Sequence, residues 1–327
     1  MPARGNLPDA YRGMRATVLG ASGFIGRWVA QALADAGANV ALVARRASGI
    51  DAGLRAHPGV SIHEIDLTSE AVVHAVLDTL RPDIVFNLVG YGVDRGERDE
   101  ERAETINTRL PAWVASGMAN ASSGDWPGQA IVHAGSALEY GAIAGDLRED
   151  SPPSPTTLYG RTKLAGTLAL RAACERRRLR GLTARLFTVY GPGEHDGRLL
   201  PTLLAARLHD DPVPLSAGTQ RRDFTYVEDV AEGLLRLGTC REAAPGEIVN
   251  LATGELTEVR AFALIAARTL GIRSERLQFG ALPARAEEMA HDPVSVERLR
   301  ALVDWVPATE IAEGVRRTAE RLEGTSP

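Results

Sequence analysis

The segment Arg15–Gly26, which reads RATVLGASGFIG, constrains the fold of this chain more than any other. A short apolar run enters a turn with three glycines, and a segment with apolar residues at helical spacing leaves it. Gly20 permits a tight turn, Gly23 lets the backbone approach an anion, and Gly26 allows close packing of helix and strand. The segment therefore predicts a strand–turn–helix unit with an anion site at the start of the helix.

Short apolar runs alternate with helix-length segments through the first half of the chain. The predicted strands are Arg15–Gly20, Ala38–Ala44, Val60–Leu67, Asp83–Gly90, Gln129–Ser136, Leu182–Gly191 and Gly246–Ala252. Strands separated by helices are typical of βαβ units and a parallel sheet. The predicted fold class is α/β, a Rossmann-type doubly wound parallel sheet with a smaller, mostly helical C-terminal substrate lobe.

The domain boundaries are expected to be interleaved, because prolines interrupt the pattern after Gly191. Residues 14–191, with roughly 225–252, are predicted to form the nucleotide-binding domain. Roughly 192–224 and 253–325 are predicted to form the second lobe, and 1–13 a flexible N-terminal tail.

Composition excludes several classes of protein. The 327 residues are 44% hydrophobic and carry a formal net charge of −5, without a basic block that suits nucleic acid. No apolar run approaches the roughly 18 residues of a membrane span, and the N-terminus does not resemble a signal peptide. Cys174 and Cys240 lie far apart in sequence, so neither a disulfide framework nor a metal site is expected. A soluble cytoplasmic protein is the expectation.

The end of the second predicted strand indicates which dinucleotide the glycine turn binds. An NAD site usually has an acidic residue about 20 residues beyond the glycines, but here Arg45 and Arg46 stand with Ser48 beside them. Guanidinium groups suit a 2′-phosphate, so NADP(H) is predicted in preference to NAD(H), unless the arginines simply face solvent. Asp66 is expected to contact adenine or to cap a helix. Further cofactor contacts are predicted at Ser22, Phe24, Ile25, Leu67 and Leu88.

Lys163, in the segment LYGRTKLAG, is the only lysine in the chain. Tyr159 lies four residues earlier, so both side chains share one helix face. A nearby ammonium favours phenolate and lowers the pKa of a tyrosine, and it has donors left for ribose hydroxyls. Arginine cannot reproduce this geometry. We therefore predict that Tyr159 and Lys163 are catalytic, and that Ser136 at the end of its strand binds the substrate oxygen beside Tyr159.

Five segments occur in the order and spacing of a known family, namely GASGFIG, HAGSALEYG, PTTLYGRTK, ARLFTVYGPG and RRDFTYVEDVAEG. From about Arg15 to Arg321 the chain resembles the extended short-chain dehydrogenase/reductase family, in its branch of NAD(P)-dependent nucleotide-sugar epimerases, dehydratases and ketoreductases. The resemblance implies Ser136, Tyr159 and Lys163 as the catalytic triad. It also implies a nucleotide-sugar substrate and a homodimer, paired through the helix of Tyr159 and the helix around Asn107.

The resemblance assigns further positions. Asn107 matches an asparagine behind the active site, Arg222 matches an arginine that grips the substrate's diphosphate, and Arg285 in LPARAEEM looks like a second such arginine. Thr188 replaces an asparagine that many members place near the substrate. The remaining candidates are Val93 and Asp94 in the pocket, and Tyr190, near the nicotinamide crevice or in the packing.

The departures from the family pattern favour some reactions over others. Dehydratases carry Thr-Asp-Glu where this chain has Ser136, Ala137 and Leu138. Glu139 lies one residue later than the glutamate of the dehydratases. Because a shift of one residue at a strand end turns the side chain to the opposite face, a 4,6-dehydratase is disfavoured. The predicted reaction is NADPH-dependent reduction of a nucleotide-linked 4-keto-6-deoxysugar, with Tyr159 as general acid. A nucleotide-sugar 4-epimerase with tightly bound NAD is the main alternative, and a non-enzymatic NADP-sensing protein is another.

Overall fold

The computed structural model describes residues 7–92, 96–121, 126–141, 143, 145–283 and 293–324. The strands, in chain order, are β1 Arg15–Leu19, β2 Asn39–Ala44, β3 Val60–Glu64, β4 Ile84–Asn87, β5 Ile131–Ser136, β6 Gly181–Leu186, β7 Thr188–Tyr190, β8 Val213–Leu215, β9 Arg221–Arg222, β10 Phe224–Tyr226, β11 Glu247–Leu251, β12 Thr257–Glu258 and β13 Leu277–Phe279. The helices are α1 Leu7–Tyr11, α2 Phe24–Asp35, α3 Ala52–Ala56, α4 Glu70–Leu80, α5 Glu100–Ala103, α6 Leu110–Ala121, α7 Leu158–Arg177, α8 Leu199–Ala206, α9 Val227–Thr239, α10 Val259–Thr269, α11 Glu297–Val303 and α12 Ile311–Gly324. Over these ranges, no helix has both the length and the apolar character needed to cross a membrane.

Seven strands form one parallel sheet in the order β11-β6-β5-β4-β1-β2-β3. The chain order reverses beside β1, where Ala16 pairs with Val40 of β2 and with Ile84 of β4. Ligands of doubly wound sheets bind at the carboxyl ends of the strands at such a switch point. The predicted Rossmann-type sheet is confirmed, and the glycine turn follows β1 at this point.

One predicted strand is wrong in its extent. The run Leu182–Gly191 is not a single strand, because it divides at Phe187 into β6 and β7. β6 stays in the central sheet beside β5, whereas β7 leaves it and pairs in parallel with β10. The division carries the chain from the central sheet into the second group of elements.

Both faces of the sheet are covered by helices. Helices α2 and α9 pack on one face, where Leu33 and Leu234 are buried, and α4, α6 and α7 pack on the other, where Val114 and Leu170 are buried. A third apolar cluster joins the small strands to α8, α10 and α12, with the rings of Phe224 and Phe262 stacked at 4.2 Å. This cluster supports the predicted second lobe, and the division into interleaved domains stays a prediction.

The prediction that residues 1–13 form a flexible tail is wrong for the part that the structure describes, which begins at Leu7. Helix α1 begins at Leu7, and the side chain of Tyr11 is completely buried. Its hydroxyl donates a hydrogen bond to the carbonyl of Leu235 on α9 at 2.6 Å, and its ring contacts Phe86 and Trp126. An aromatic ring buried against the sheet fixes this segment to the domain.

Candidate active site

The glycine turn forms a close cradle between β1 and α2. Gly20 has a φ of +82°, and a β-carbon on Gly26 would come within 2.2 Å of the Gly20 carbonyl oxygen. Gly23 is the N-cap of α2 and has no side chain to bond the free N–H groups of the first turn. Ser22, Phe24 and Ile25 belong to this turn. The geometry fits the pyrophosphate of a dinucleotide, which the N–H groups and the helix dipole attract.

The loop after β2 lies against this turn and carries the two predicted phosphate ligands. A β-carbon on Gly49 would come within 3.0 Å of Cβ of Ser22, so the loop and the turn touch. Arg45, Arg46 and Ser48 are all exposed. Neither guanidinium forms a hydrogen bond or an ion pair with another described residue. Both arginines are therefore available to a ligand at this edge.

A carboxylate that the sequence reading missed borders the same loop. Glu64 ends β3 beside Ala44, and its Oε2 accepts a hydrogen bond from the Ala47 N–H at 2.8 Å. Arg55 holds the loop from the other side through the carbonyl of Ile50. The alternation of β3 gave no signal for this contact, because it depends on the neighbouring strand.

The remaining predicted cofactor contacts divide by burial. Asp66 is exposed and pairs with Arg102 at 3.3 Å, and it does not cap α4, whose N-cap is Ser69. Leu67 is buried in the core under α4, whereas Leu88 is half-buried next to the glycine turn. Leu88 thus lies where a cofactor contact is expected, and the side chain of Leu67 faces the core.

Tyr159 lies in the first turn of α7. This helix starts cleanly because Thr157 caps it, with its Oγ1 accepting the Gly160 N–H at 2.9 Å. The pKa of Tyr159 is raised to about 12, chiefly by burial and next by the negative charge of Glu139, whereas the Ser136 side chain and the charge of Arg198 act in the opposite direction. Ser136 ends β5, and its side chain acts on the phenol of Tyr159. The predicted binding of a substrate oxygen by these two groups stays a prediction. The phenol is protonated at neutral pH.

Lys163 follows one turn later, and its side chain is only 2% exposed. Its Nζ donates to the carbonyl of Ala134 at 2.5 Å and lies 3.4 Å from Nε2 of His133. Burial lowers the pKa of Lys163 to about 8, against the opposing charge of Glu139. The expectation that Lys163 lowers the pKa of Tyr159 is wrong for this structure, because the ammonium is directed at β5 and burial dominates the phenol.

Glu139 is completely buried next to Ser136, in a single helical turn after β5. Its Oε1 accepts hydrogen bonds from the Ser136 N–H at 2.8 Å and from Thr167 Oγ1 at 3.1 Å. Its Oε2 forms an ion pair with Arg185 at 2.9 Å. Both oxygens are engaged, so this carboxylate has the wrong contacts for the acid–base role of a dehydratase. In the sequence, the feature that could have indicated the Glu139–Arg185 ion pair is an arginine inside the apolar strand segment LTARLF.

Asn107 ties the loop after β4 to helix α7. It lies in a π-helical turn, Glu104–Arg109, between α5 and α6, and it is completely buried. Its Nδ2 donates to the Tyr91 carbonyl at 2.7 Å and to Thr162 Oγ1 at 3.0 Å, and its Oδ1 accepts the Tyr91 N–H. Asn107 thus connects the loop after β4 with the helix that carries Tyr159, and the role that the resemblance implies for it stays a prediction.

The loop Gly191–Arg198 carries two charged groups that the sequence analysis missed, Glu194 and Arg198, and Arg198 acts on Tyr159. Trp28 of α2 anchors the loop through a hydrogen bond to the Pro192 carbonyl at 3.1 Å. Burial raises the pKa of Glu194 to about 7, and its Oε2 has no hydrogen-bond partner among the described residues. The charge of Arg198 lowers the pKa of both Glu194 and Tyr159, which places the guanidinium near both groups.

The residues predicted to contact the substrate differ in their positions and burial. Arg222 is partly buried on β9, where it pairs with Thr257 of β12, and Thr188 is partly buried on β7. Tyr190 is 2% exposed and packs against Tyr226 and other aromatic rings, which favours a packing role. The other predicted contacts, Val93, Asp94 and Arg285, lie outside the described residues.

Comparisons with known proteins agree with this architecture. The sequence profile of the "NAD dependent epimerase/dehydratase family" matches residues 16–252. A dTDP-6-deoxy-L-talose 4-dehydrogenase (NAD(P)(+)) from Kitasatospora kifunensis is 30% identical over 92% of this chain and 93% of its own length. Among solved structures, MoeE5 with UDP-glucuronic acid and NAD has a TM-score of 0.81 at 26% identity, covering 95% of this chain and 99% of MoeE5. A UDP-glucuronic acid 4-epimerase from Bacillus cereus shares the fold, with a TM-score of 0.83 at 20% identity over 96% of this chain and all of that one.

Proposed function

The chain belongs to the NAD-dependent epimerase/dehydratase family, and we propose that it reduces a nucleotide-linked 4-keto-6-deoxysugar at C4 with NADPH. The observation that carries this proposal is the pair of exposed arginines, Arg45 and Arg46, without partners in the described structure and beside the dinucleotide turn. A reductase consumes NADPH and releases NADP, whereas an epimerase regenerates its cofactor in place. The relative from Kitasatospora kifunensis, named as a 4-dehydrogenase that uses NAD(P)+, supports redox chemistry at C4.

The protonation state of Tyr159 suits the reductive direction. Reduction of a ketone makes an alkoxide that needs a proton, and a pKa of about 12 keeps the phenol protonated until that charge develops. The Ser136 side chain acts on the phenol of Tyr159 and would orient the carbonyl oxygen beside it. The Ser136 hydroxyl is held in place, because its Oγ accepts the Leu138 N–H at 3.2 Å.

The glycine turn, Arg45 and Arg46 would hold the dinucleotide, and Lys163 would hold its ribose hydroxyls. When bound, the reduced nicotinamide supplies the hydride for C4. Lys163 has three ammonium donors, and the described contacts direct two of them at β5. The third is left for a ribose hydroxyl.

A nucleotide-sugar 4-epimerase is the second candidate, and Glu64 favours it. Its carboxylate lies at the loop that carries Arg46 and bonds the Ala47 N–H. A carboxylate at this edge suits the free 2′-hydroxyl of NAD and repels a 2′-phosphate. The B. cereus 4-epimerase and MoeE5 are both described with NAD.

The first experiment is to denature the purified protein and identify the nucleotide that it releases. An empty site that then binds NADPH reversibly supports the reductase, and 4-keto-6-deoxysugar nucleotides follow as substrates. NAD retained at close to one per chain contradicts it and favours the epimerase.

Fluorescence titrations with NADPH and NADH test the arginines separately. The double variant Arg45→Ala, Arg46→Ala should weaken NADPH binding at least tenfold, because two charge-assisted contacts to phosphate are lost, and should leave NADH binding unchanged. The matched control replaces Arg176 and Arg177, two exposed consecutive arginines at the end of α7, by alanine. An equal loss for both nucleotides, or a wild-type preference for NADH, contradicts the assignment.

The implied homodimer is also a proposal. Leu168 is 48% exposed on α7, and Leu164 and Trp113 are partly buried on α7 and α6. An apolar side chain at this exposed position fits pairing of α6 and α7 with a second copy. Sedimentation velocity of the wild type and of Leu168→Glu tests it, and a monomeric wild type would contradict it.

A further inference from the structure

The side chain of His133 contacts Lys163. Neither the family resemblance nor the sequence pattern explains this contact. His133 lies on β5, three residues before Ser136, and is 1% exposed. Its Nε2 is 3.4 Å from Nζ of Lys163, which among the described residues also donates to the Ala134 carbonyl. The two nitrogens meet in the interior, away from solvent, where a missing partner is costly.

The ring of His133 is neutral at physiological pH. Burial holds its pKa well below the usual value, the positive charge of Lys163 lowers it further, and the backbone of Asn87 opposes the shift. A neutral imidazole has one donor and one acceptor nitrogen, whereas an ammonium has only donors. Nε2 therefore accepts from Lys163, and the ring proton is on Nδ1.

Two neighbouring side chains with acceptor oxygens, those of Glu139 and Asn87, are engaged elsewhere. Glu139 is the acidic group that acts on Lys163, but its oxygens are taken by the Ser136 N–H, Thr167 and Arg185. Asn87, the register partner of His133 on β4, uses its Oδ1 for the Val89 N–H. Without His133, one ammonium donor is buried without an acceptor.

We propose that His133 is a positioning residue, which accepts a hydrogen bond from Lys163 and so fixes the direction of the ammonium for the cofactor ribose. The inference rests on the proposed function, since it assumes that Lys163 serves a bound dinucleotide. The chemistry needs no charge on His133. It needs an acceptor at the position of Nε2 and a side chain that fills the same space.

Because the chain has a single lysine, the pKa of Lys163 can be measured directly. Full-length protein made with ¹³C-labelled lysine has one lysine Cε signal, that of Lys163, and its chemical shift against pH gives the pKa without assignment. The matched variants are His133→Gln, whose amide oxygen can accept at the same place, and His133→Leu, which has no acceptor. Thermal unfolding checks that each variant folds, and His133→Met replaces His133→Leu if the latter does not.

Loss of the acceptor destabilises the charged form, so His133→Leu should lower the pKa of Lys163 by roughly one unit. The same variant should weaken NADPH binding by roughly tenfold, and His133→Gln should restore both values to near the wild type. An unchanged pKa in the leucine variant, or a glutamine variant no better than leucine, would overturn the proposal. The titration contains no substrate, so a failure of the proposed reduction leaves its result intact.

Discussion

Replacing Arg185 by methionine should destabilise the protein far more than removal of a surface arginine. Arg185 and Glu139 are 2% and 0% exposed, and their ion pair is 2.9 Å long. The guanidinium also lies over the Tyr140 ring, 4.3 Å from its centroid. Arg185→Met keeps most of the side-chain volume but leaves a carboxylate buried without its counter-ion, which costs about 3–5 kcal/mol.

The free energy of unfolding, from urea titrations followed by circular dichroism, measures this cost. At about 2 °C per kcal/mol for a chain of this size, the melting temperature should fall by about 6–10 °C. The double variant Glu139→Gln, Arg185→Met removes the charge as well as its partner, so it should recover about 1–2 kcal/mol of that loss.

Arg171→Met is the matched control. Arg171 and Glu175 form an ion pair of the same length, 2.9 Å, but both side chains are about half exposed. Exposed pairs contribute less than about 1 kcal/mol. The reasoning is refuted if Arg185→Met costs no more than Arg171→Met, or if the double variant is less stable than the single one.

Three further outcomes are expected. Gly26→Ala places a methyl group within 2.2 Å of the Gly20 carbonyl oxygen, so NADPH binding measured by fluorescence should weaken at least tenfold; binding within twofold of wild type would contradict the close approach. Tyr159→Phe should reduce kcat by about 10²–10⁴-fold, as expected for loss of a general acid, and should leave the NADPH dissociation constant close to that of wild type. If the protein keeps its biological role after this change, the NADP-sensing alternative is favoured. Burial raises the pKa of Glu194 from 4.5 to about 7, so the folded state binds a proton more tightly and loses stability as pH rises through this range. Glu194→Gln should therefore be more stable than wild type at pH 8, by up to about 3 kcal/mol. Urea titrations at pH 5 and pH 8 measure the difference, which should be smaller at pH 5, and an equal difference at both values would contradict the prediction.

Much of the nucleotide-binding half follows from local patterns. The glycine spacing requires a turn in which Gly20 takes a positive φ and Gly26 touches the preceding backbone, and both are found. The four-residue spacing of Tyr159 and Lys163 predicts one helix face, because α7 is regular there. Alternation of strands and helices gives the parallel sheet. Each of these inferences concerns residues that are neighbours in sequence.

The predictions that failed concern neighbours in space. Tyr11 reads as part of a polar tail, yet it is buried because α9 and β4 pack over it. Leu182–Gly191 reads as one strand, yet β7 finds its partner in β10, far along the chain. The pKa of Tyr159 follows from burial and from Glu139 rather than from the lysine one turn away.

The sequence alone determined the glycine turn, the Tyr159–Lys163 pair and the alternation of elements, because helix and strand periods fix which nearby residues share a face. Only the tertiary structure decided the partners of Lys163. The strand order places β5 under α7, which brings His133 and Ala134 to its ammonium. It also turns Glu139 toward Arg185 on β6. A buried charge takes the partner that folding brings within about 3 Å, and no local spacing in the chain specifies that partner.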